Sequence, residues 1–426
     1  MSGGRALAPL VRRQRWFGSK SRDLADGRIV DSGRLSATCV FALFETEYTD
    51  GGSEVYQLPY RVGEDGQAVL ELADPALAHA LLAALRGSAR VATEAGEVTF
   101  ELAAPLPEDA ALQRLRAVGG EQSNSSVVFG ERCVLKAYRR LEAGESPELE
   151  MLRFLGGHGF EHTPRLLGSY AYAGTPIAAT LGILQEFVPD ASDGWEDALA
   201  SLADPPPFLS RLQRLGEVTA RMHAALASDD RDPAFRPEEP GDGAAEDAAE
   251  DAAALLARAP EPVRTRRDEL LERLRTLHRT GAGGKLIRQH GDFHLGQVLW
   301  VSGDWVVLDF EGEPARPLAE RRRKSTPLRD VAGILRSFSY AAETGRGRRT
   351  AVAPTWERDA RSAFLGGYEE TIDQSLRPHA GPQRDGLLAA CELEKALYEL
   401  RYELDNRPDW VRVPVAGILR LLGEGT

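Results

Sequence analysis

The stretch His290-Gly-Asp-Phe-His-Leu-Gly-Gln297 is the densest cluster of polar side chains in this sequence, and it decides the fold. Downstream of it, the apolar run Trp305-Val-Val-Leu leads directly into Asp309. A short apolar run of this kind predicts a buried strand, so Asp309 would emerge at the rim of a core on rigid backbone. Segment 290–310 is therefore predicted to be a β-rich island within a region of helical periodicity.

These side chains match the needs of phosphoryl transfer. Asp292 can orient an acceptor hydroxyl and take its proton, and Mg²⁺ takes oxygen ligands such as the Gln297 amide and the Asp309 carboxylate. The step from Asp292 to Gln297 equals the Asp-to-Asn step of the protein-kinase catalytic loop, and Asp309 takes the place of the metal-binding Asp that follows it. Gln in place of Asn is one departure. We therefore predict Asp292 as the catalytic base and Gln297 and Asp309 as magnesium ligands.

Two other interpretations of this stretch stay open. Asp292 and His290 could cap a turn, because Asp and Gly favour turns, with His294 as a buried structural histidine. Alternatively, His290, Asp292 and His294 could be zinc ligands, which would leave Gln297 unexplained. The complete pattern, with its strand-borne Asp, is far more specific than any of its parts, so phosphoryl transfer is favoured.

A nucleotide-binding lobe is predicted upstream, around Lys136. This lysine ends the run Cys133-Val-Leu-Lys136, a context like the Val-Ala-Ile-Lys of protein kinases, whose ammonium contacts the α- and β-phosphates of ATP. Glu150, on the predicted helix that follows, is the expected ion-pair partner, and Glu148 is the alternative. A single lysine on an amphipathic strand is usually solvated, so this prediction depends on the downstream motif.

The loop before this strand, Gly119-Gly-Glu-Gln-Ser-Asn-Ser-Ser126, lacks the Gly-x-Gly-x-x-Gly pattern. Its backbone amides and polar side chains can still cradle phosphate oxygens. The side chains predicted to take part are those of Ser123, Asn124 and Ser125. Further along, Gln185-Glu-Phe-Val-Pro189 is predicted to be the hinge that meets the adenine. The hinge residues assigned to cofactor binding are Gln185, Glu186 and Val188.

The periodicity of the chain changes twice along its length. Residues 1–110 are strand-rich, with β-prone runs over 39–48 and 55–61 joined by a turn. Residues 111–190 contain further short strands and one amphipathic helix, and helical periodicity dominates after that. This order fits a two-lobed kinase, but it also fits several unrelated α+β enzymes.

Long helices are predicted in the last part of the chain, over 208–226, 251–279, 328–344, 355–375 and 384–405. Between the first two of them, segment 228–250 is rich in Asp, Glu, Pro and Ala. We expect this segment to be a mobile excursion on the surface.

Composition excludes several classes of protein. The chain has 426 residues and a net charge of −13, which disfavours a nucleic-acid or anionic-membrane binder because phosphate neutralisation needs a basic face. Its three cysteines are too few for a disulfide framework or a zinc site. We see no secretory signal and no apolar stretch long enough to span a membrane. We therefore expect a cytoplasmic protein without a nucleic-acid or membrane partner.

Taken together, the motifs resemble those of the actinobacterial maltokinase-like kinases, which are relatives of the aminoglycoside phosphotransferases. The resemblance spans nearly the whole chain. Besides the stretches around Asp292 and Asp309, its carriers are Gln14-Arg-Trp-Phe-Gly18, Glu121-Gln-Ser-Asn-Ser-Ser126, Val134-Leu-Lys136, Pro327-Leu-Arg-Asp-Val-Ala-Gly333 and Asn406-Arg-Pro-Asp-Trp410.

The resemblance implies an α+β, bilobal, protein-kinase-like fold in three parts. These are an N-terminal cap subdomain over 1–110, a β-rich intermediate subdomain over 111–190 and a mainly helical C-terminal lobe over 191–426. The resemblance also implies ATP and Mg²⁺ as cofactors, and it supports the roles assigned above to the base and the metal ligands.

Two activities occur in this group. Maltokinases phosphorylate maltose at C1, and a second branch resembles glucosamine kinases, which phosphorylate the 6-hydroxyl of the amino sugar. Segment 398–406 is rich in acids, and the ammonium at C2 of glucosamine would want a carboxylate partner. Helical spacing puts Glu399 and Glu403 on one face. The residues predicted to bind the sugar are His294, Glu399, Tyr402, Glu403 and Asp405.

We therefore predict an ATP- and Mg²⁺-dependent glucosamine kinase, with maltokinase as the alternative. Acids spaced four apart on a helix are more often a solvated face, so the choice of sugar stays open. A catalytically inactive, sugar-sensing module is an alternative of another class, and the presence of Lys136, Asp292 and both metal ligands speaks against it. An aminoglycoside phosphotransferase is a third option, since a polycationic substrate would suit the acidic chain.

Overall fold

A computed structural model gives the fold of residues 3–20, 22–119, 124–241, 244–280, 284–314, 316–348, 350–377 and 381–423. The contacts of the chain divide it into two units, 1–156 with 164–189 and 157–163 with 190–426. The first is mainly β and the second mainly helical. This confirms the α+β class with a β-rich and a helical part. The predicted boundary at residue 110 falls within the first unit and stays a prediction.

The first unit holds the predicted nucleotide-binding strands. Its helices and strands are α1 (Gly3–Arg12), β1 (Leu24–Arg34), β2 (Cys39–Tyr48), β3 (Ser53–Gln57), β4 (Tyr60–Val62), β5 (Ala68–Val69), α2 (Pro75–Arg86), β6 (Arg90–Ala92), β7 (Gly96–Leu102), β8 (Leu115–Ala117), β9 (Asn124–Phe129), β10 (Cys133–Tyr138), β11 (Arg140–Leu141), α3 (Pro147–Gly157), β12 (Leu166–Gly174) and β13 (Ala178–Glu186).

Two sheets share one core in this unit. Among the described residues, a six-stranded sheet is built around β2, and a seven-stranded sheet has the order β6-β7-β12-β13-β10-β9-β8. Phe41 of β2, Leu81 of α2 and Tyr170 of β12 lie in the same buried hydrophobic cluster. Strand β10, which carries Lys136, is therefore an interior strand with a partner on either side.

Two hairpins are present in this unit, and the first of them begins with the run predicted over 39–48. Strand β2 pairs with β3, and β9 pairs with β10. The turn between β9 and β10 has positive φ at Gly130 (57°) and Glu131 (55°). A Cβ at Gly130 would lie 1.6 Å from the carbonyl oxygen of Ala111. Only glycine fits this position, and the tight turn fixes the register of the strand that carries Lys136.

The second unit holds the catalytic loop. Its helices and strands are β14 (Ser192–Asp193), α4 (Gly194–Ala200), α5 (Pro206–Leu226), α6 (Ala244–Leu256), α7 (Glu261–Arg264), α8 (Arg267–Thr280), β15 (Val298–Val301), β16 (Asp304–Val307), α9 (Leu318–Arg321), α10 (Leu328–Gly347), α11 (Trp356–Thr371), α12 (Pro382–Asn406) and α13 (Arg412–Leu421). Strands β14, β15 and β16 form a small antiparallel sheet. Of these strands, β15 and β16 lie in the β-rich island predicted over 290–310, and β14 lies outside it.

Two predictions for the helical part are wrong. Residues 244–250, expected in a mobile excursion, begin α6, and Ala249 and Leu256 of this helix are buried in one cluster with residues of α8 and α12. The single helix expected over 251–279 is broken into three, because proline stands at positions 260 and 262. Within the described residues, none of the helices combines the length and hydrophobicity needed to cross a membrane.

Helices α5 and α11 pack with their backbones in close approach. A Cβ at Gly216 of α5 would lie 2.1 Å from the carbonyl oxygen of Phe364, and a Cβ at Gly367 of α11 would lie 1.9 Å from the carbonyl oxygen of Gln213. Each helix therefore has one glycine that lies directly against the backbone of the other helix. The neighbouring Gly366 has nothing within contact distance of the same added atom.

This contrast predicts opposite effects for the same substitution at adjacent positions. We expect Gly367→Ala to destabilise the protein by at least about 2 kcal/mol, because the methyl group would force two backbones apart. Gly366→Ala should stabilise it by about 0.5–1 kcal/mol through helix propensity alone. Denaturant unfolding of both variants measures the difference, and equal effects at the two positions would contradict the packing described here.

Candidate active site

The backbone of the catalytic loop is anchored by a buried carboxylate. Asp330 of α10 accepts hydrogen bonds from the backbone amides of His290 (2.9 Å) and Gly291 (3.0 Å), and its Oδ2 lies 3.1 Å from Nε2 of His223. Burial by itself raises the pKa of Asp330, but these partners hold it below its ordinary value. The loop turns sharply at Gly291, where φ is +85°, so glycine is required there.

His290 ties the loop to the strand that precedes Asp309. Its Nε2 lies 2.8 Å from the carbonyl oxygen of Leu308, and its Nδ1 accepts a hydrogen bond from the backbone amide of Asp292. The ring packs against Phe293 and Phe310. Both ring nitrogens are therefore occupied, which argues against the zinc-ligand interpretation and assigns His290 a structural role.

The predicted base, Asp292, is held by a lysine that the sequence did not single out. Nζ of Lys395, on α12, donates to Oδ1 of Asp292 at 2.9 Å and to Oε1 of Glu313 at 2.8 Å. The same ammonium lies 4.9 Å from the centre of the Tyr398 ring. Glu313 is itself buried, and its other oxygen receives Nε of Arg316. This ion-pair network joins the catalytic loop to the helical part of the unit.

The lysine sets the charge of the base. Burial raises the pKa of the Asp292 carboxyl, but the ammonium of Lys395, with smaller help from His294 and His290, lowers it to about 2. Burial conversely lowers the pKa of Lys395, and its two carboxylate partners raise it above its ordinary value. Asp292 is therefore ionised at neutral pH, as an acceptor of a hydroxyl proton must be.

His294 lies beside the base. Its Nε2 is 3.9 Å from Oδ2 of Asp292, and its Nδ1 accepts a hydrogen bond from the backbone amide of Gly296. Burial lowers the pKa of His294, and Asp292 opposes that shift. The predicted sugar-binding role of His294 stays a prediction, and its ring adjoins the carboxylate that the acceptor hydroxyl would meet.

The two predicted metal ligands lie side by side. Nε2 of Gln297 donates to Oδ2 of Asp309 at 3.1 Å, and the backbone amide of Leu308 donates to the carbonyl of Gln297. Asp309 has a φ of +61°, a strained conformation for a residue other than glycine that often marks functional sites. An amide and a carboxylate at this distance fit a hard cation such as Mg²⁺, since turning the amide over would present two oxygens.

The ion pair shown for the nucleotide-binding strand is made with Glu148, whereas the sequence favoured Glu150. Nζ of Lys136 donates to Oε2 of Glu148 at 2.9 Å, and the hydroxyl of Tyr138 donates to the same oxygen at 2.8 Å. Glu148 is only 1% exposed, whereas Glu150 is half-buried. Residues two apart on a helix face different directions, and α3 turns Glu148 towards the sheet. The alternative left open by the sequence is therefore the correct one.

The predicted phosphate loop is described only from Asn124 onward, and Ser123 lies outside the described residues. Lys136 is paired with Ser126, so these two side chains share one face of the sheet. Strand alternation then puts Ser125 on the opposite face. There its hydroxyl accepts a hydrogen bond from Nε of Arg139 at 2.8 Å.

The predicted hinge residues follow the strand next to Lys136. Gln185 and Glu186 are the last residues of β13 and are paired with Val134 and Cys133 of β10. Val188 comes just after this strand. Their backbone groups stand at the end of the strand pair that carries the lysine, and their role in adenine binding stays a prediction.

The acids of α12 do not form the open face that the helical spacing suggested. Glu399 accepts from Arg336 at 2.7 Å. Glu403 accepts from Arg407 at 2.7 Å and from the hydroxyl of Tyr340 at 3.2 Å. At the exposed end of the helix, Asp405 pairs with Arg258 at 2.8 Å, and the guanidinium of Arg407 lies over the ring of Tyr402. Of these acids, Glu403 keeps one buried carboxylate oxygen without a hydrogen-bond partner.

Known proteins share these motifs and this fold. The phosphotransferase enzyme family matches residues 114–364, and the maltokinase N-terminal cap domain matches residues 11–96. A glucosamine kinase of Mycolicibacterium smegmatis is 32% identical over 325 residues, which make up 73% of this chain and 80% of that protein. A glucosamine kinase of Streptacidiphilus jiangxiensis is 31% identical over 326 residues, or 72% and 74% of the two proteins.

The likeness extends to solved structures. A glucosamine kinase in complex with glucosamine, ADP and inorganic phosphate has the same fold, with a TM-score of 0.69 and 24% identity over 97% of this chain and 99% of that chain. The family resemblance inferred from the motifs is thus confirmed, and so is the prediction that the chain is a kinase. The chain belongs to the phosphotransferase enzyme family.

Proposed function

We propose that this kinase transfers the γ-phosphoryl group of ATP to the 6-hydroxyl of glucosamine. The observation that carries the proposal is the carboxylate of Asp292, which accepts a hydrogen bond from the ammonium of Lys395 at 2.9 Å. The Gln297–Asp309 pair adds ligands for a hard cation. A base, a metal-ligand pair and a lysine for the phosphates are the parts that phosphoryl transfer needs.

In this mechanism Asp292 accepts the proton of the acceptor hydroxyl and orients its oxygen towards the phosphorus. Gln297 and Asp309 would hold Mg²⁺, which supplies neutralisation of the phosphate charge when bound. Lys136 would contact the α- and β-phosphates, and Glu148 keeps its ammonium in place. Lys395 does not meet the substrate in this proposal; it keeps the base ionised and fixed in direction.

Two features support an amino sugar as the acceptor. The two relatives described above are glucosamine kinases at 32% and 31% identity. Glu403 has a buried carboxylate oxygen without a partner, and burial raises the pKa of this group above its ordinary value despite Arg407. A sugar ammonium would satisfy that oxygen with a charge-assisted hydrogen bond. Maltose is the second candidate, because residues 11–96 match the maltokinase cap domain.

Turnover of ATP with glucosamine, glucose and maltose tests the choice of sugar directly. We expect glucosamine to give the highest kcat/KM, because its ammonium adds one contact that glucose lacks. NMR of the product should show phosphate on the 6-hydroxyl. Faster turnover of maltose, or phosphate at C1, would overturn the proposal in favour of the second candidate.

Substitution of the base tests the catalytic assignment. Asp292→Asn should lower kcat by at least about 10²-fold, because an amide cannot accept the proton. ATP affinity should stay unchanged, since Lys136 and Glu148 lie in the other unit. The exposed Asp385 of α12 provides the control, and Asp385→Asn should leave both quantities unchanged. Normal turnover of Asp292→Asn would remove this residue from the mechanism.

Removal of the ammonium tests the role of Lys395. In Lys395→Met, burial of Asp292 is no longer compensated, so the pKa of the base should rise from about 2. The carboxylate is then protonated at a higher pH than in the unmodified protein. The acidic limb of the kcat/KM profile should therefore shift to higher pH. We expect kcat to fall while the KM for ATP stays constant.

Lys285→Met is the matched control, because Lys285 pairs with the exposed Glu239 and not with Asp292. Lys395→Arg, which keeps the positive charge, should restore part of the rate and keep the acidic limb low. An unchanged pH profile in Lys395→Met would show that this lysine does not set the charge of Asp292.

A further inference from the structure

The first unit contains a cavity of about 440 Å³ that is lined by two arginines to which the proposed reaction assigns no role. Its walls are the turn after α1, the segment 68–73 and the ends of β8 and β9, and Arg139 lines it from the end of β10. The described lining residues include two arginines, the exposed Arg15 and the buried Arg139, and one carboxylate residue, Glu71. These described residues together carry an excess of positive charge.

Arg139 is the unusual member of this set. It is fully buried. Its Nε donates to Oγ of Ser125 at 2.8 Å, and its Nη2 donates to the carbonyl oxygen of Leu70 at 3.3 Å. Its Cζ lies 5.0 Å from the centre of the Trp16 ring. Its Nη1 is buried as well and has no hydrogen-bond partner.

This arrangement leaves a buried positive charge without compensation. Burial lowers the pKa of Arg139 to about 10, so the group is still charged at neutral pH. Two of the guanidinium nitrogens donate to uncharged oxygens, those of Ser125 and Leu70. Within the described part of the chain, no carboxylate pairs with Arg139. A buried charge is costly unless it is paired with an opposite one. Among the described residues, the component that this site lacks is an anion paired with Arg139.

The site is separate from the lysine that would bind ATP. Ser125 and Lys136 lie on opposite faces of the strand pair β9–β10, because Lys136 is opposite Ser126 in the ladder. Arg139 bonds to Ser125, whereas Lys136 bonds to Glu148 of α3. An anion on Arg139 would therefore lie on the face of this strand pair opposite to Lys136.

We propose that this cavity binds a small phosphomonoester, with its phosphate group on Arg139 and Arg15. Two guanidinium groups suit a dianion, and the planar fork of arginine matches phosphate oxygens better than a point charge does. The cavity is far larger than a bare phosphate and falls in the size range of metabolite sites. Its remaining walls include Leu10, Leu70 and the ring of Trp16, which would contact the carbon body of the ligand.

Calorimetric titration of the full chain tests this site by binding alone, so its result does not depend on which sugar the kinase phosphorylates. The probes are inorganic phosphate and phenyl phosphate, a phosphomonoester that is not a product of the proposed reaction, in a buffer without other oxyanions. We expect both to bind, and the phosphomonoester to bind more tightly because its carbon body meets the apolar walls. Equal affinity for the two probes would overturn the assignment of a phosphomonoester and leave a site for free phosphate.

Two variants locate the bound phosphate. Arg139→Met removes the charge and keeps an apolar chain of similar length, and it should weaken binding by about ten- to a hundred-fold, the value of charge-assisted hydrogen bonds. Lys136→Met removes the cation of the nucleotide strand and should leave binding unchanged. If Lys136→Met abolishes binding and Arg139→Met does not, the phosphate occupies the nucleotide site and the proposal fails.

A second measurement covers the case in which Arg139→Met does not fold. Crystals of the unmodified chain soaked in tungstate, a phosphate mimic, should show an anomalous peak within hydrogen-bond distance of Nη1 of Arg139. A peak only beside Lys136, or no peak in the cavity, would overturn the proposal. The same crystals without tungstate provide the baseline for the comparison.

Discussion

The ammonium of Lys395 compensates two carboxylates that the fold removes from water, those of Asp292 and Glu313. Without it, each carboxylate would bear a desolvation cost of several kcal/mol, and the nearest relief would be protonation. A protonated Asp292 could not accept a proton from a hydroxyl. The lysine thus makes burial of the base compatible with its ionisation, and it ties the direction of that carboxylate to α12.

The catalytic loop is consequently held from two helices. Asp330 of α10 receives its backbone amides, and Lys395 of α12 holds its side chain. The two helices are themselves joined by the Arg336–Glu399 pair. A loop fixed only by its own hydrogen bonds would leave the base free to rotate, whereas here a displacement of either helix would move it. Removal of the Glu399 carboxylate would break the Arg336–Glu399 pair. We therefore expect it to change the position of Asp292, because both helices hold the catalytic loop.

The sequence predicted the features that depend on neighbouring residues in the chain. The stretch from His290 to Gln297, the strand leading into Asp309 and the turn after Phe129 all carry their own signals in spacing or in glycine. Tertiary contacts decided the rest. The sequence alone does not distinguish Glu148 from Glu150, because the choice depends on how α3 packs on the sheet. It also does not show that the acids of α12 have partners, since Arg336 and Tyr340 come from another helix. One feature of the sequence could have pointed to Lys395. Lysine is rare in this chain, with five lysines among the 52 lysine and arginine residues.

Two buried cations at strand β10, Lys136 and Arg139, differ in whether a carboxylate pairs with them. Lys136 points to α3, where Glu148 supplies a buried carboxylate. Arg139, which immediately follows the strand, meets the hydroxyl of Ser125, the carbonyl of Leu70 and the ring of Trp16. These groups orient a guanidinium but carry no net charge to neutralise it. Within the described residues, Lys136 and Lys395 each have a carboxylate partner and Arg139 has none, and this difference is the basis of the proposed anion site.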